Sequence, residues 1–334
     1  MFKRVAAAAA LCAIALVTAA PVSAQGSAQG SAQGQADNFP NNTVKIVVPT
    51  APGGPLDVLA RLMTQRLRDI WGQPVIIENR PGGALMIGAN AVARSAPDGY
   101  TLLLSNDGPV TINPSLYKSM PYDPKKDLMP VTQVVDAPFV LVVNANVQAK
   151  SVAELIALAK QNPGKINYAS GGNTSRLAGE LFRLSAGVEL VNVPYNGSGQ
   201  AILGVVGGEV HMMIDGITSS LPHVLSGKLR ALGVGTKGRL NEVPGVPAIA
   251  ETLPGYIGST WLGLFAPAGT PPEIVAKIQK TLATIVHEPQ LRERMIGLGM
   301  YTVANMPGEF AMFLEGDALQ WERVIRDAKI QKVE

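Results

Sequence analysis

Val44-Lys45-Ile46-Val47-Val48-Pro49-Thr50-Ala51-Pro52-Gly53-Gly54-Pro55-Leu56-Asp57 decides the class of fold. Its opening residues are β-branched and apolar but for Lys45, the composition of a buried strand. Pro52-Gly53-Gly54 turns the chain, and Asp57 stands in the first turn of a helix. Leu59, Leu62, Met63, Leu67 and Ile70 follow at helical spacing, and Gly72 ends the element. Strand, glycine turn and helix in that order make a βα unit, the building block of α/β folds.

The chain repeats this unit. A second one starts at Val75-Ile76-Ile77, passes through a helix near Leu85 to Arg94, and turns at Pro97-Asp98-Gly99 into the strand Thr101-Leu102-Leu103-Leu104. A strand over 139–143 leads into new material, and Ser151 with Glu154 predicts a capping box opening a helix to Gln161. Strands are expected over 166–169, 190–194, 211–214 and 229–234, each leading to a helix or loop, and a last one over 260–265. Helices then dominate, over 271–287, 289–298 and 307–328. A helix-rich tail after a completed middle block implies that the chain leaves a first domain, builds a second and returns. The crossovers are expected near 134–143 and 258–266, giving lobe one as 43–137 plus 263–334 and lobe two as 138–262. About 300 residues also exceed one comfortable core.

The first residues read as an address. Lys3 and Arg4 precede an apolar run, and Pro21-Val22-Ser23-Ala24 offers small residues for cleavage after Ala24, so 1–24 is expected to be a signal peptide. Residues 25–42, rich in Gln, Gly, Ser and Ala, are expected to be a disordered tether. Cys12, the one cysteine, lies in the leader, so the exported chain must rely on its apolar core rather than on disulfides. Without Lys3 and Arg4, basic and acidic residues balance to within one, which argues against nucleic acid as a partner. The chain is expected to be exported across the cytoplasmic membrane and to be a monomer.

Three glycine turns stand between a strand and a helix: Ala51-Pro52-Gly53-Gly54, Ser170-Gly171-Gly172-Asn173-Thr174-Ser175 and Asn196-Gly197-Ser198-Gly199. Ligands of open α/β sheets bind beyond the carboxyl ends of strands, and free N–H groups at a helix start attract anions. Three such turns, rich in Ser, Thr and Asn and divided between two domains, point to an anion-binding cleft. Asp215 joins them because it closes the apolar run Met212-Met213-Ile214 at a strand's carboxyl end. Enzyme signatures are missing: there is no Gly-x-Ser-x-Gly elbow, no His-Glu-x-x-His and no phosphate-loop lysine. Gly233-Val234-Gly235-Thr236-Lys237-Gly238 matches a dinucleotide pattern, but Pro244 and Pro247 stand where its helix must run. His211, His223 and His287 are scattered without ligand spacing, so neither a metal nor a cofactor is expected.

At these turns the sequence resembles the extracytoplasmic receptors of tripartite tricarboxylate transporters, the Bug family. The likeness runs from about Val44 to the C-terminus. It rests on Val48-Pro49-x-x-Pro52-Gly53-Gly54-x-x-Asp57, Glu78-Asn79-Arg80-Pro81-Gly82-Gly83, Ala96-Pro97-Asp98-Gly99-Tyr100-Thr101-Leu102 and Asn113-Pro114-Ser115-Leu116-Tyr117. Leu177-Ala178-Gly179-Glu180, Val193-Pro194-Tyr195, Gly227-Lys228-Leu229-Arg230-Ala231-Leu232 and Phe265-Ala266-Pro267-Ala268-Gly269-Thr270-Pro271 continue it in order.

The resemblance implies a two-lobed periplasmic binding protein of the type II, Venus-flytrap kind, with a crossover hinge between two parallel or mixed-sheet domains. It implies a small carboxylate as ligand, membrane permease subunits as partners, and no catalysis. The ligand-binding positions that match are Ala51, Pro52, Gly53, Gly54 and Leu56, then Ser105, Asn106 and Asp107 in lobe one. In lobe two they are Ser170, Gly172, Asn173 and Thr174, Tyr195, Asn196 and Gly197, and Asp215. Arg176 stands where the family commonly has histidine. On one reading it faces solvent; on the other it enters the cleft and holds a second carboxylate. A ligand-dependent partner of a membrane sensor kinase is the alternative to a transport receptor.

Overall fold

The structure, a computed structural model, describes residues 38–334, so the expected signal peptide and most of the tether lie outside the described residues. The tether expectation ran too far: Phe39 is buried, packed on Trp71 and Tyr100 with ring centroids 6.1 and 5.1 Å away. An aromatic ring buries a large apolar area, which favours ordering the segment that carries it.

Lobe one is built on β1 (Val44–Val48), which pairs in parallel with β2 (Val75–Asn79) and β3 (Thr101–Asn106). Helix α1 (Pro55–Trp71) follows β1, and α2 (Met86–Ala93) follows β2 after a short 3-10 turn over Gly83–Leu85. A π-helical turn over Gly108–Ile112 runs into α3 (Asn113–Leu116), and α4 (Pro124–Asp127) precedes β4. β4 (Leu128–Asn144) is one strand of 17 residues, beginning at Leu128, before the crossover expected near 134–143. Its first half pairs antiparallel with β9 (Ser259–Pro267), which itself pairs with β3. Its second half pairs with β7 (Met212–Gly216) and β8 (Leu229–Val234) in lobe two. The handover falls at Pro138, which faces Ser259 of β9, while Phe139 faces Gly216 of β7. Proline has no N–H to give a ladder, so the change of partner sits where a hydrogen bond would be lost anyway.

Lobe two adds α5 (Val152–Gln161), β5 (Asn167–Ser170), α6 (Asn173–Ala186), β6 (Val191–Pro194), α7 (Ser198–Gly207) and α8 (Ile217–Leu225). β5 lies parallel to β6 and β7. The capping box at α5 forms with one change: Glu154 N–H donates to Ser151 Oγ at 3.1 Å, but the Glu154 carboxylate accepts from Lys150 N–H. No helix follows Gly233–Gly238, as the prolines there imply. The chain ends with α9 (Pro272–Val286), α10 (Pro289–Ile296), the short β10 (Tyr301–Thr302) and α11 (Pro307–Asp327). No helix among the described residues is long and apolar enough to cross a membrane.

Strand alternation divides the cores. Ile46 and Val48 face Leu59 and Met63 of α1 and Ile278 of α9, while Val47 and Leu103 face Trp261, Phe265 and Phe310. In lobe two, Leu141 and Ile214 pack with Phe182 of α6, and Val140 and Met213 pack with Ile202 of α7 and Ile217 of α8. One helix belongs to both lobes. Phe310 of α11 is buried in the lobe-one core, whereas Trp321, Val324 and Ile325 join Phe139, Tyr168 and Leu177. Ile112 and Leu116 join the same group, and Val333 closes it by backbone bonds of 2.9 Å to Leu116 and Lys118.

Trp321 is fully buried in this shared packing. Trp321→Ala is expected to cost about 3–5 kcal/mol in denaturant unfolding. Leu319→Ala, on the exposed side of the same helix, should stay within about 0.5 kcal/mol.

Candidate functional site

The glycine turns lie at the carboxyl ends of β1, β5 and β6, as the βα pattern requires. The first is held from behind. Asp57 is buried and accepts the Gly53 N–H at 2.9 Å, Arg61 Nε and Nη2 at 2.8 and 3.1 Å, and Asn79 Nδ2 at 3.1 Å. Burial alone would raise the Asp57 pKa, but the hydrogen bonds from Arg61, Gly53 and Asn79 outweigh it and hold the carboxyl below the usual range. Gly53 has φ +90°, a conformation that an L side chain resists. Ala51, Pro52 and Gly53 are exposed at the tip, with Gly54 half-buried. Leu56 is instead packed into the lobe-one core, where an apolar side chain in the first turn of α1 belongs.

In lobe two the turns touch. A Cβ on Gly171 would lie 2.3 Å from Ser198 N, so only glycine allows the 170–172 turn to rest against the start of α7. Tyr195 N–H donates to Ser170 O at 2.8 Å and ties the same two turns. The Tyr195 ring lies on Gly204 and its hydroxyl reaches Glu209 at 3.2 Å, so the side chain runs along α7 away from its start. Asn196 and Gly197 are exposed, with Gly197 at φ +99°. Neither α6 nor α7 has a side-chain cap, leaving their first N–H groups without an intrahelical acceptor. Asp215, at the end of β7, takes hydrogen bonds from Ser198, the Gly216 N–H and Ser219. Burial raises its pKa, and those bonds offset part of the rise.

β3 carries lobe one to this assembly. Ser105 is fully buried; Asn106 accepts the Gly108 N–H at 3.2 Å and points its amide at Thr174 Oγ1, 3.5 Å away. Asp107, fully buried, accepts a hydrogen bond from the Thr174 hydroxyl, and Asn173 Nδ2 donates to Asn113 Oδ1 at 2.8 Å. Thus Asp107, Asn106, Asn173 and Thr174 join the two lobes directly. Behind them Asp317 of α11 accepts from Thr111 Oγ1 at 2.5 Å and Trp261 Nε1 at 3.0 Å. Burial, then the neighbouring Asp317, pushes the Asp107 carboxyl well above the ordinary range, and burial raises Asp317 as well. Asp136, across the sheet from Trp261, is pushed up to about 6 by burial. Gly171, Ser198, Thr111 and Asp317 are contributors left off the expected site residues; the first two lie in the quoted glycine turns, whereas Asp317 had no local signal.

A recess of about 420 Å³ lined by Asn144, Leu158, Lys165 and His211 lies elsewhere, at the opposite ends of the lobe-two strands from the turns. The turns are the better site because helix starts converge there.

The family model described as tripartite tricarboxylate transporter family receptor matches residues 59–330. Protein BugT of Bordetella pertussis is 36% identical over 313 residues, 92% of each chain. A protein of R. palustris solved with adipate superimposes with a TM-score of 0.84 at 34% identity, covering 89% of this chain and 100% of that one. MatC from Rhodopseudomonas palustris, solved with bound malate, gives 0.80 at 33% identity over 86% and 100%.

Acids raised by burial favour the folded state when protonated, and that stability is lost as pH climbs from the unfolded value through the folded one. For Asp136 the window runs from about pH 4 to about 6, and Asp107, raised by burial and then by Asp317, acts in the same direction. Asp57 acts in the opposite sense, losing its contribution only as pH falls below about 4. Melting temperature is therefore expected to peak in mild acid and to fall towards pH 7. Asp107→Asn, whose amide needs no proton to stay neutral, should flatten the decline.

Proposed function

This chain belongs to the tripartite tricarboxylate transporter family of receptors, and we propose that it captures a small carboxylate in the periplasm for the membrane subunits of such a transporter. The observation that carries this reading is the pair of uncapped starts of α6 and α7, brought together at Gly171 and set against lobe one. Backbone N–H groups there suit a carboxylate, and their aligned peptide dipoles add to the attraction. Relatives of about one-third identity that were solved with adipate and malate support a dicarboxylate.

The lobe-one contribution comes from Ala51, Pro52, Gly53 and Gly54 and from the end of β3 at Ser105, Asn106 and Asp107. The lobe-two contribution comes from Ser170, Gly172, Asn173, Thr174, Tyr195, Asn196, Gly197 and Asp215. Tyr195 acts through its backbone, given the direction of its ring, and Leu56 through the placement of the turn. The division into 43–137 plus 263–334 and 138–262 makes β4 and β9 the hinge. A ligand then favours the closed clamp by touching both lobes.

A thermal-shift panel of mono-, di- and tricarboxylates, aromatic acids and acidic amino acids tests the reading. A ligand at 100 times its Kd should stabilise the native state by about 2.7 kcal/mol. A flat response across the panel rejects it. Small-angle scattering should show the same ligand contracting the molecule by rotation of two rigid lobes, and unchanged profiles at saturation would reject the clamp.

A further inference from the structure

We propose that Arg176 binds the second carboxylate of the ligand and so makes this receptor selective for dicarboxylates over matched monocarboxylates; the inference rests on the carboxylate reading above. Arg176 is half-buried, yet its guanidinium makes no hydrogen bond or ion pair among the described residues. Every other lysine or arginine among the described residues that is not exposed is engaged. Lys45 pairs with Glu78, Arg66 with Asp69 and Glu288, and Arg183 with Glu180. Arg230 donates to the carbonyls of Ala145, Val147 and Ala149, and Lys277 also has a partner. A guanidinium has five donors and cannot shed its charge, so partial burial without an acceptor is a cost awaiting a counter-ion.

Among the described residues no carboxylate pairs with the Arg176 guanidinium. Glu180, one turn further on, is committed: one oxygen accepts from Tyr168 Oη at 2.8 Å and the other from Arg183 Nε at 2.7 Å. The backbone places the cation one turn into α6, where its N–H bonds Gly172 O at 3.0 Å. Helical side chains lean towards the N-terminus, so a residue this long reaches back to the end of α6 that bears Gly172, Asn173 and Thr174. A positive charge there opposes the helix dipole, an arrangement that makes sense when an anion joins it. The uncapped helix starts then hold one carboxylate and the planar fork of Arg176 the other, through two parallel hydrogen bonds.

The test measures equilibrium binding of pairs that differ only in the far carboxylate, adipate against hexanoate and succinate against butyrate. The mature chain and its Arg176→Ala, Arg176→Lys and Arg183→Ala variants are titrated calorimetrically. Arg176→Ala should weaken the better diacid at least tenfold and its monoacid less than threefold. Arg176→Lys, keeping charge but not the fork, should fall between, and Arg183→Ala should bind as the parent does. Unchanged melting of the ligand-free variants separates a lost contact from a lost fold. Equal losses for diacid and monoacid, or no loss, overturn the assignment while leaving the carboxylate reading intact. If the unmodified chain binds none of these four probes but another monocarboxylate shifts its melting, dicarboxylate selectivity is overturned alone. If no carboxylate binds, both readings fall.

Discussion

The handover at Pro138 is the constraint on which the rest depends. A single strand, β4, gives its first half to β9 and its second half to β7 and β8, so both lobes hang on one continuous backbone. Where Pro138 lacks an N–H the ladder has no bond to break, and the bulges beside Pro130 and Thr132 and between Gln133 and Val135 loosen the register just before it. The βα turns of the two lobes are thus joined through this strand and, a second time, through helix α11, because Phe310 is anchored in one core and Trp321 in the other. The lobes are therefore coupled at the strand and at the helix, and the turns at Gly53, Gly171 and Gly197 inherit their positions from both.

The chemistry of the cleft follows from which helix starts the protein answers for itself. Asp57 occupies the turn before α1 through the Gly53 N–H, and Asp215 takes Ser198 and the Gly216 N–H. Asp107 likewise takes the Thr174 hydroxyl, but no side chain caps the backbone N–H groups that open α6 or α7. Internal carboxylates thus stabilise the walls, while the start of α6 keeps its donors. Glycine at 171 matters as much as any polar residue here, since a methyl group would push the α7 start away from the 170–172 turn.

Much of this was legible in the sequence, and the reasons are local. The β-branched run at Val44, the Gly-Gly turn and the leucine spacing of α1 depend on neighbours within one unit, so periodicity finds them. The helices over 271–287, 289–298 and 307–328 are framed by prolines at their starts and appear within a residue or two of those bounds. The start of β4, over 128–133, was missed because Pro130 interrupts it, and proline reads as a strand-breaker unless a bulge or edge absorbs it. In the site, the turns were visible but not the directions of their side chains. Tyr195 turns away along α7 because Gly204 leaves room for its ring, and Leu56 turns inward because the core of lobe one lies under α1. The acids at 107, 136 and 317 are far apart in sequence, and only the meeting of β3, β4 and α11 makes them neighbours.

That meeting gives the cleft two electrically different sides. Asp107 and Asp317 stand without an ion pair among the described residues, and burial favours their neutral forms. As neutral groups they can bond to Thr174 or Thr111 without repelling an anion nearby. Had they stayed charged, their field would oppose the attraction of the α6 and α7 starts in a medium that screens poorly. Burial of Asp107 and Asp317 thus lowers the tendency of the acid-rich side to carry charge, in the same sense as the open backbone donors at the starts of α6 and α7.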